Sequence, residues 1–308
     1  MRELLGSCVL CLFVATPVLA QSALWPGSTR TFDDDLRNSI RAVPDNNVQY
    51  AGRLAGTSGT LRYYGSDAGG PSFDNSVDYH FEVVGTVQRL QFTRGNSPVY
   101  AGVHYMLTAT RSQFAEDVLP PGVQERDLRT HLGGVGASVG YDSRTDPRDS
   151  RIMTFLANAT WFDHILGSSA AFGKLELAGT MSARPANKWS VGARFDARSA
   201  WGDVPFFDTP YLAMRGLPAR QYANDVVVLT EAEAHRVLNR RWSAVAFGGV
   251  GRVAKAWGEL TDAPATGAAG VGVRYLVVVE TGMRAGFDVA RTPDGSVAFY
   301  FQSGAAWP

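Results

Sequence analysis

The chain has 308 residues, 45% hydrophobic and 19% charged, a composition that suits a globular protein of one or two domains. Lys plus Arg and Asp plus Glu each total 29, so no net charge draws the protein to nucleic acid. The two cysteines, Cys8 and Cys11, both fall in the first stretch, and the cysteine-free remainder excludes disulfides, thiol nucleophiles and Cys-ligated zinc.

Residues 1–20 read as a secretory signal. Arg2 supplies the positive region, Val9 to Val18 the apolar run, and Val18-Leu19-Ala20 a small-residue cleavage site before Gln21. Leu5-Gly6-Ser7-Cys8 resembles an acylation site, but almost no apolar stretch precedes it. Residues 21–47 form a polar periplasmic lead-in. Within it Asp33-Asp34-Asp35 precede Leu36, Ile40 and Val43 at helical spacing, which suits a short helix with acids in its first turn. No segment is a helical membrane span: the longest later stretch free of Asp, Glu, Lys and Arg is Gly95 to Thr110, and it contains Asn96, Ser97, Pro98 and His104. A membrane location therefore requires a closed barrel, the other form that satisfies every backbone group in lipid.

From about Tyr50 onward the period is two. Trp189, Val191, Ala193, Phe195 and Ala197 alternate with Ser190, Gly192, Arg194, Asp196 and Arg198. Val77, Tyr79, Phe81 and Val83 alternate with Asp78, His80 and Glu82; Val226, Val228, Ala232 and Ala234 oppose Glu231, Glu233 and His235; Met283, Ala285, Phe287 and Val289 alternate with Arg284, Gly286 and Asp288. Apolar-out, polar-in strands are expected of a transmembrane barrel. Segments of about ten residues or longer and aromatics near their ends favour that reading over a soluble sandwich; examples are Tyr63-Tyr64, Tyr141, Trp161-Phe162, Trp189, Trp201, Trp242, Trp257 and Trp307. Short links at 94–97, 185–188, 239–241 and 278–280 alternate with long ones at 66–75, 113–129, 202–222 and 256–266. The expected fold is all-β: an antiparallel up-and-down barrel over 48–308, about twelve strands with sixteen as the alternative, long loops outside and short turns periplasmic.

Gly136-Ala137-Ser138-Val139-Gly140 matches a hydrolase signature, yet alternation runs straight through it where a nucleophile needs a strand, sharp turn and helix. His80, His104, His131, His164 and His235 show no metal-ligand spacing. No catalytic residue, metal or cofactor is expected. The segment Met214 to Tyr222 is more telling: it ends a long loop between strands whose polar faces carry Arg194, Asp196 and Arg198 before it and Glu231 and Glu233 after it. If that loop folds inward, its arginine has carboxylates to meet.

Arg215-Gly216 followed by Arg220-Gln221-Tyr222, then Glu233-Ala234-His235-Arg236 and Ala246-Phe247-Gly248-Gly249-Val250-Gly251-Arg252-Val253, resembles the BamA/TamA superfamily, also called the bacterial surface antigen family. Gly140 to Arg148 looks like that family's Asp-x-Arg-x-x-Pro turn, and 286–291 with 298–307 like its closing hairpin. The resemblance implies that the Arg-Gly loop enters the lumen and that Arg215 meets Glu233, with Glu231 or Asp288 in reserve. It also implies a role in inserting or translocating proteins or lipids, with unfolded outer-membrane proteins as clients or a periplasmic protein as partner. Three departures stand out: roughly 27 residues replace the family's soluble repeats, Gly249 stands where an aspartate is usual, and Leu217 where an aromatic is preferred. Two other functions stay open. One is a passive channel lined by Lys174, Glu176, Arg194, Asp196, Arg198, Arg274, Arg284 and the two glutamates. The other is a barrel-embedded lipid hydrolase using a serine with His80 or His104.

Overall fold

A computed structural model describes residues 48–65, 76–115, 119–143, 151–279, 283–292, 295 and 297–303. The signal and lead-in readings, most of the Asp-x-Arg-x-x-Pro turn and Trp307 lie outside these residues. Twelve strands follow one another: β1 (Val48–Tyr63), β2 (Val77–Thr93), β3 (Val99–Phe114), β4 (Arg129–Asp142), β5 (Arg151–Phe162), β6 (Phe172–Ala186), β7 (Trp189–Gly202), β8 (Val226–Val237), β9 (Trp242–Ala254), β10 (Thr266–Val278), β11 (Met283–Arg291) and β12 (Val297–Ser303). Each pairs antiparallel with the next in a single sheet, the up-and-down order of a membrane β-barrel. Among the described residues no ladder joins β12 back to β1.

Register sets the two faces. In β7, Arg194 lies opposite Glu231 of β8 and Phe195 opposite Thr230, so one row of charges points inward while Trp189, Val191 and Phe195 stay exposed on the wall. The outer surface carries Leu90, Val103, Val139, Phe155, Val271 and Phe287, all exposed. That is the apolar belt that lipid requires. Exposed Trp161 and Trp201 sit at the long-loop ends of β5 and β7, and exposed Trp189 and Trp242 at the short-turn ends of β7 and β9. The wall is therefore bordered by aromatics at both interfaces.

One stretch runs opposite to its expected polarity. Tyr79 and Phe81 are buried in the interior, whereas Asp78, His80 and Glu82 face outward. Tyr63 is likewise interior rather than part of a girdle. The reason lies in strand length and in what fills the lumen. β1, β2 and β3 run 16, 17 and 16 residues, several more than the nine to eleven or so that a tilted span needs. Their loop-side ends thus rise past the belt, where the outer face can be polar, while their inner face packs an apolar cluster. β11 and β12 are short by contrast, at 9 and 7 residues.

Candidate functional site

The β7–β8 loop, 203–225, folds into the barrel and carries two unlike ends. Near its start, Pro205 directs Phe206 and Phe207 inward, and both rings are buried. The Phe206 centroid lies 5.5 Å from Tyr63 on β1, 5.3 Å from Tyr79 on β2 and 5.7 Å from Phe114 on β3; Phe207 lies 5.5 Å from Phe81. Met106, Leu132, Phe162 and Phe172 complete this cluster. Next to it, the Lys174 Nζ of β6 reaches Asp208 Oδ1 at 2.8 Å, with both side chains nearly covered. Asp127, in the β3–β4 loop, accepts a hydrogen bond from the backbone of Phe206, and burial holds its carboxyl above the usual range despite that bond and Arg126.

The second end is a lobe pinched at its base. Leu212 N–H donates to Tyr222 O at 2.9 Å and Asn224 N–H to Pro210 O at 3.0 Å, so 211–223 doubles back with Arg215-Gly216 at its far turn. Leu212, Met214 and Leu217 bury themselves against Val227, Leu229 and Ala268; a leucine suffices where the resemblance prefers an aromatic. Arg215 brings together the three carboxylates the sequence had singled out. Its Nη1 lies 2.6 Å from Glu233 Oε2 and 3.8 Å from Asp288 Oδ2, and its Nε is 3.7 Å from Glu231 Oε1. The guanidinium also sits 3.9 Å above the Phe247 ring of β9, a cation–π contact that sequence reading did not foresee. Gly216 has φ +101, and a Cβ there would stand 2.6 Å from Ala268 Cβ, so neither the backbone angle nor the space admits a side chain. Its N–H donates to Tyr300 Oη of β12 at 3.1 Å.

The remaining inward charges extend this network. Arg194 pairs with Glu231, lies 3.3 Å from Asp196 and donates to Ala213 O of the lobe; Arg198 is 3.6 Å from Asp196. Arg274 donates to Asp288 Oδ2 at 2.8 Å, and His235 meets Glu233. Arg284 donates to Ser243 at 3.1 Å and Glu176 accepts from Asn158 at 3.2 Å, so both stand apart from Arg215. Arg220 also lies elsewhere: it donates to Phe206 O at 2.8 Å and stacks 5.2 Å from Tyr211, tying the lobe to the aromatic end. Tyr222 serves through its carbonyl and its partly buried ring. At Gly249 a Cβ would stand 2.4 Å from Glu231 Cγ and 2.7 Å from Met214 Sδ, so the missing aspartate makes room for the lobe. Sequence reading missed Phe206, Phe207 and Tyr300. The apolar run Val204-Pro205-Phe206-Phe207 inside a polar loop was the available signal for the first two.

Ser138 lies within the continuous strand β4, facing inward, and His104 bonds Thr160 at 3.0 Å. Among the described residues no three His, Cys, Asp or Glu side chains gather as a metal site.

No protein-family model matches the chain, and no curated protein does. Solved structures do. BamA from Haemophilus ducreyi lacking POTRA domains 1-3 matches at TM-score 0.54 and 10% identity, covering 74% of this chain and 55% of that one. CdiB from Acinetobacter baumannii matches at 0.58 and 11%, covering 85% and 48%, and CdiB from Escherichia coli at 0.55 and 12%, covering 83% and 49%. The fold is that of these outer-membrane barrels. This chain spans about half of each matched chain.

Proposed function

We propose that this BamA- and CdiB-like barrel sits in a bacterial outer membrane and assists the insertion or translocation of proteins or lipids, with a periplasmic partner supplying recognition. One observation carries the reading: a single lumenal loop grips both terminal strands, while among the described residues no ladder joins them. Its Phe206 packs on Tyr63 of β1, and its Gly216 bonds Tyr300 of β12. Pro218, Ala219 and Arg220 line a cavity of about 270 Å³ with Leu61, Arg62 and Asp78 at the rim of β1 and β2. A strand edge left without a ladder presents backbone donors and acceptors that an incoming strand can pair with. The loop then acts as a clasp, holding the two edges from inside while the wall beside it remains able to open.

The aromatic cluster and the ion pairs occupy the interior that a passive channel would leave to solvent, and they favour the clasp. The test is reconstitution. Vesicles containing the protein should speed the folding of a urea-unfolded outer-membrane protein relative to empty vesicles, and planar bilayers should give no steady conductance. Unchanged client folding together with a constant open pore would replace this reading with the channel.

A further inference from the structure

Charge is segregated along the barrel axis. The six connections on the long-loop side hold thirteen carboxylates against four basic side chains. Three of the short turns carry bases and no acid. The β2–β3 turn has Arg94, the β6–β7 turn has Lys188 with Arg184 near the end of β6, and the β8–β9 turn has Arg240 and Arg241 with Arg236 near the end of β8. All of these are exposed, and among the described residues none forms an ion pair. The other two turns differ: 142–151 balances three arginines with three aspartates, and 279–282 holds only Glu280.

Two of the bases sit where the wall meets the lipid interface. Arg236 lies 5.5 Å over the ring of Trp189, and Arg241 lies 5.7 Å over Tyr275, which packs on Trp242 with centroids 4.9 Å apart. Trp189 and Trp242 are lipid-facing aromatics at the edge of the apolar belt. A guanidinium stacked on such a ring is held at the depth of phospholipid phosphates, beside the wall rather than over the lumen.

We infer that the short-turn rim over β2–β3 and β6–β9 binds the phosphate groups of anionic glycerophospholipids in the adjacent leaflet. This rests on the barrel being embedded in a membrane, and not on its assembly role. The rim near β10–β12 has no such basic turn, so lipid would be gripped on the wall away from the last strands.

The test compares wild type with the triple variant Arg236→Gln, Arg240→Gln, Arg241→Gln in vesicles of phosphatidylcholine alone or mixed with phosphatidylglycerol. Thermal unfolding and phosphatidylglycerol retained by native mass spectrometry are both read. Wild type should unfold at higher temperature in the mixed vesicles and retain phosphatidylglycerol. The variant should lose that shift and about a hundredfold in anionic-lipid affinity, at roughly fivefold per charge. Raised salt should weaken the wild-type effect. If the triple variant fails to fold, the double variant Arg94→Gln, Lys188→Gln gives the same comparison with a smaller loss. Wild type indifferent to phosphatidylglycerol would overturn the inference and leave an acidic protein surface as the candidate occupant. It would equally fall if inorganic phosphate in phosphatidylcholine vesicles reproduced the whole shift, because the site would then take soluble anions.

Discussion

The two ends of the lumenal loop are held by opposite kinds of force. Around Phe206 and Phe207 the side-chain contacts are chiefly aromatic, and several rings from β1 to β6 share the packing. Around Arg215 the contacts are between charges. One guanidinium answers carboxylates from β8 and β11, lies on Phe247, and is followed by a glycine that no other residue can replace without strain. The aromatic end fixes that the loop enters the barrel; the charged end fixes which residue faces which strand. Hydrophobic packing is tolerant of shape in a way that buried ion pairs are not.

Charge reversal breaks this contrast most severely. Arg215→Glu sets a fourth carboxylate beside Glu231, Glu233 and Asp288 and should cost about 3–5 kcal/mol, read as a lower urea midpoint in detergent micelles. Adding Glu233→Arg should restore part of the loss. A double variant no better than the two singles combined would show that the pair carries no coupling energy. Conservative replacements sharpen the comparison at a smaller scale. Arg215→Lys keeps the charge but loses the planar fork that reaches two strands, and should cost about 1.5–3 kcal/mol. Phe206→Leu keeps apolar contact and should cost about 1 kcal/mol. Equal losses in the same urea titration would mean that the two ends do not differ in kind.

The smallest effect concerns Asp127, which braces the aromatic end. Burial raises its folded pKa above the ordinary carboxylate value, so the native state binds this proton more readily than the unfolded chain. Stability should therefore fall as pH rises through the interval between the ordinary and the raised pKa, and level off above it. Asp127→Asn should remove that slope while retaining an acceptor for Phe206, and urea midpoints across mildly acidic pH would check this. An unchanged slope would assign it to another group.

The barrel was legible because a wall between lipid and a polar interior imposes period two on almost every strand. The strand from Trp189 to Arg198 carries that pattern without exception, and its faces lie as expected. The stretch from Val77 to Val83 alternates just as cleanly and faces the other way. Alternation tells which residues share a face, and a partner tells which face is inside. Here the partner is Phe206-Phe207, far along the chain. The candidate site divides similarly. Glu231 and Glu233 share the inward parity of β8, whereas the Arg215 contacts with Phe247 and the Gly216 bond to Tyr300 have no local signature.

Sequence alone determined the strand period and the division into short and long links, because each is written in neighbouring residues. Only the tertiary structure decided where the strands outrun the apolar belt, how far the loop reaches, and that it touches both ends of the sheet. Those features depend on side chains brought together from strands distant in the chain, and burial and charge pairing become definite only once the wall has curved around them.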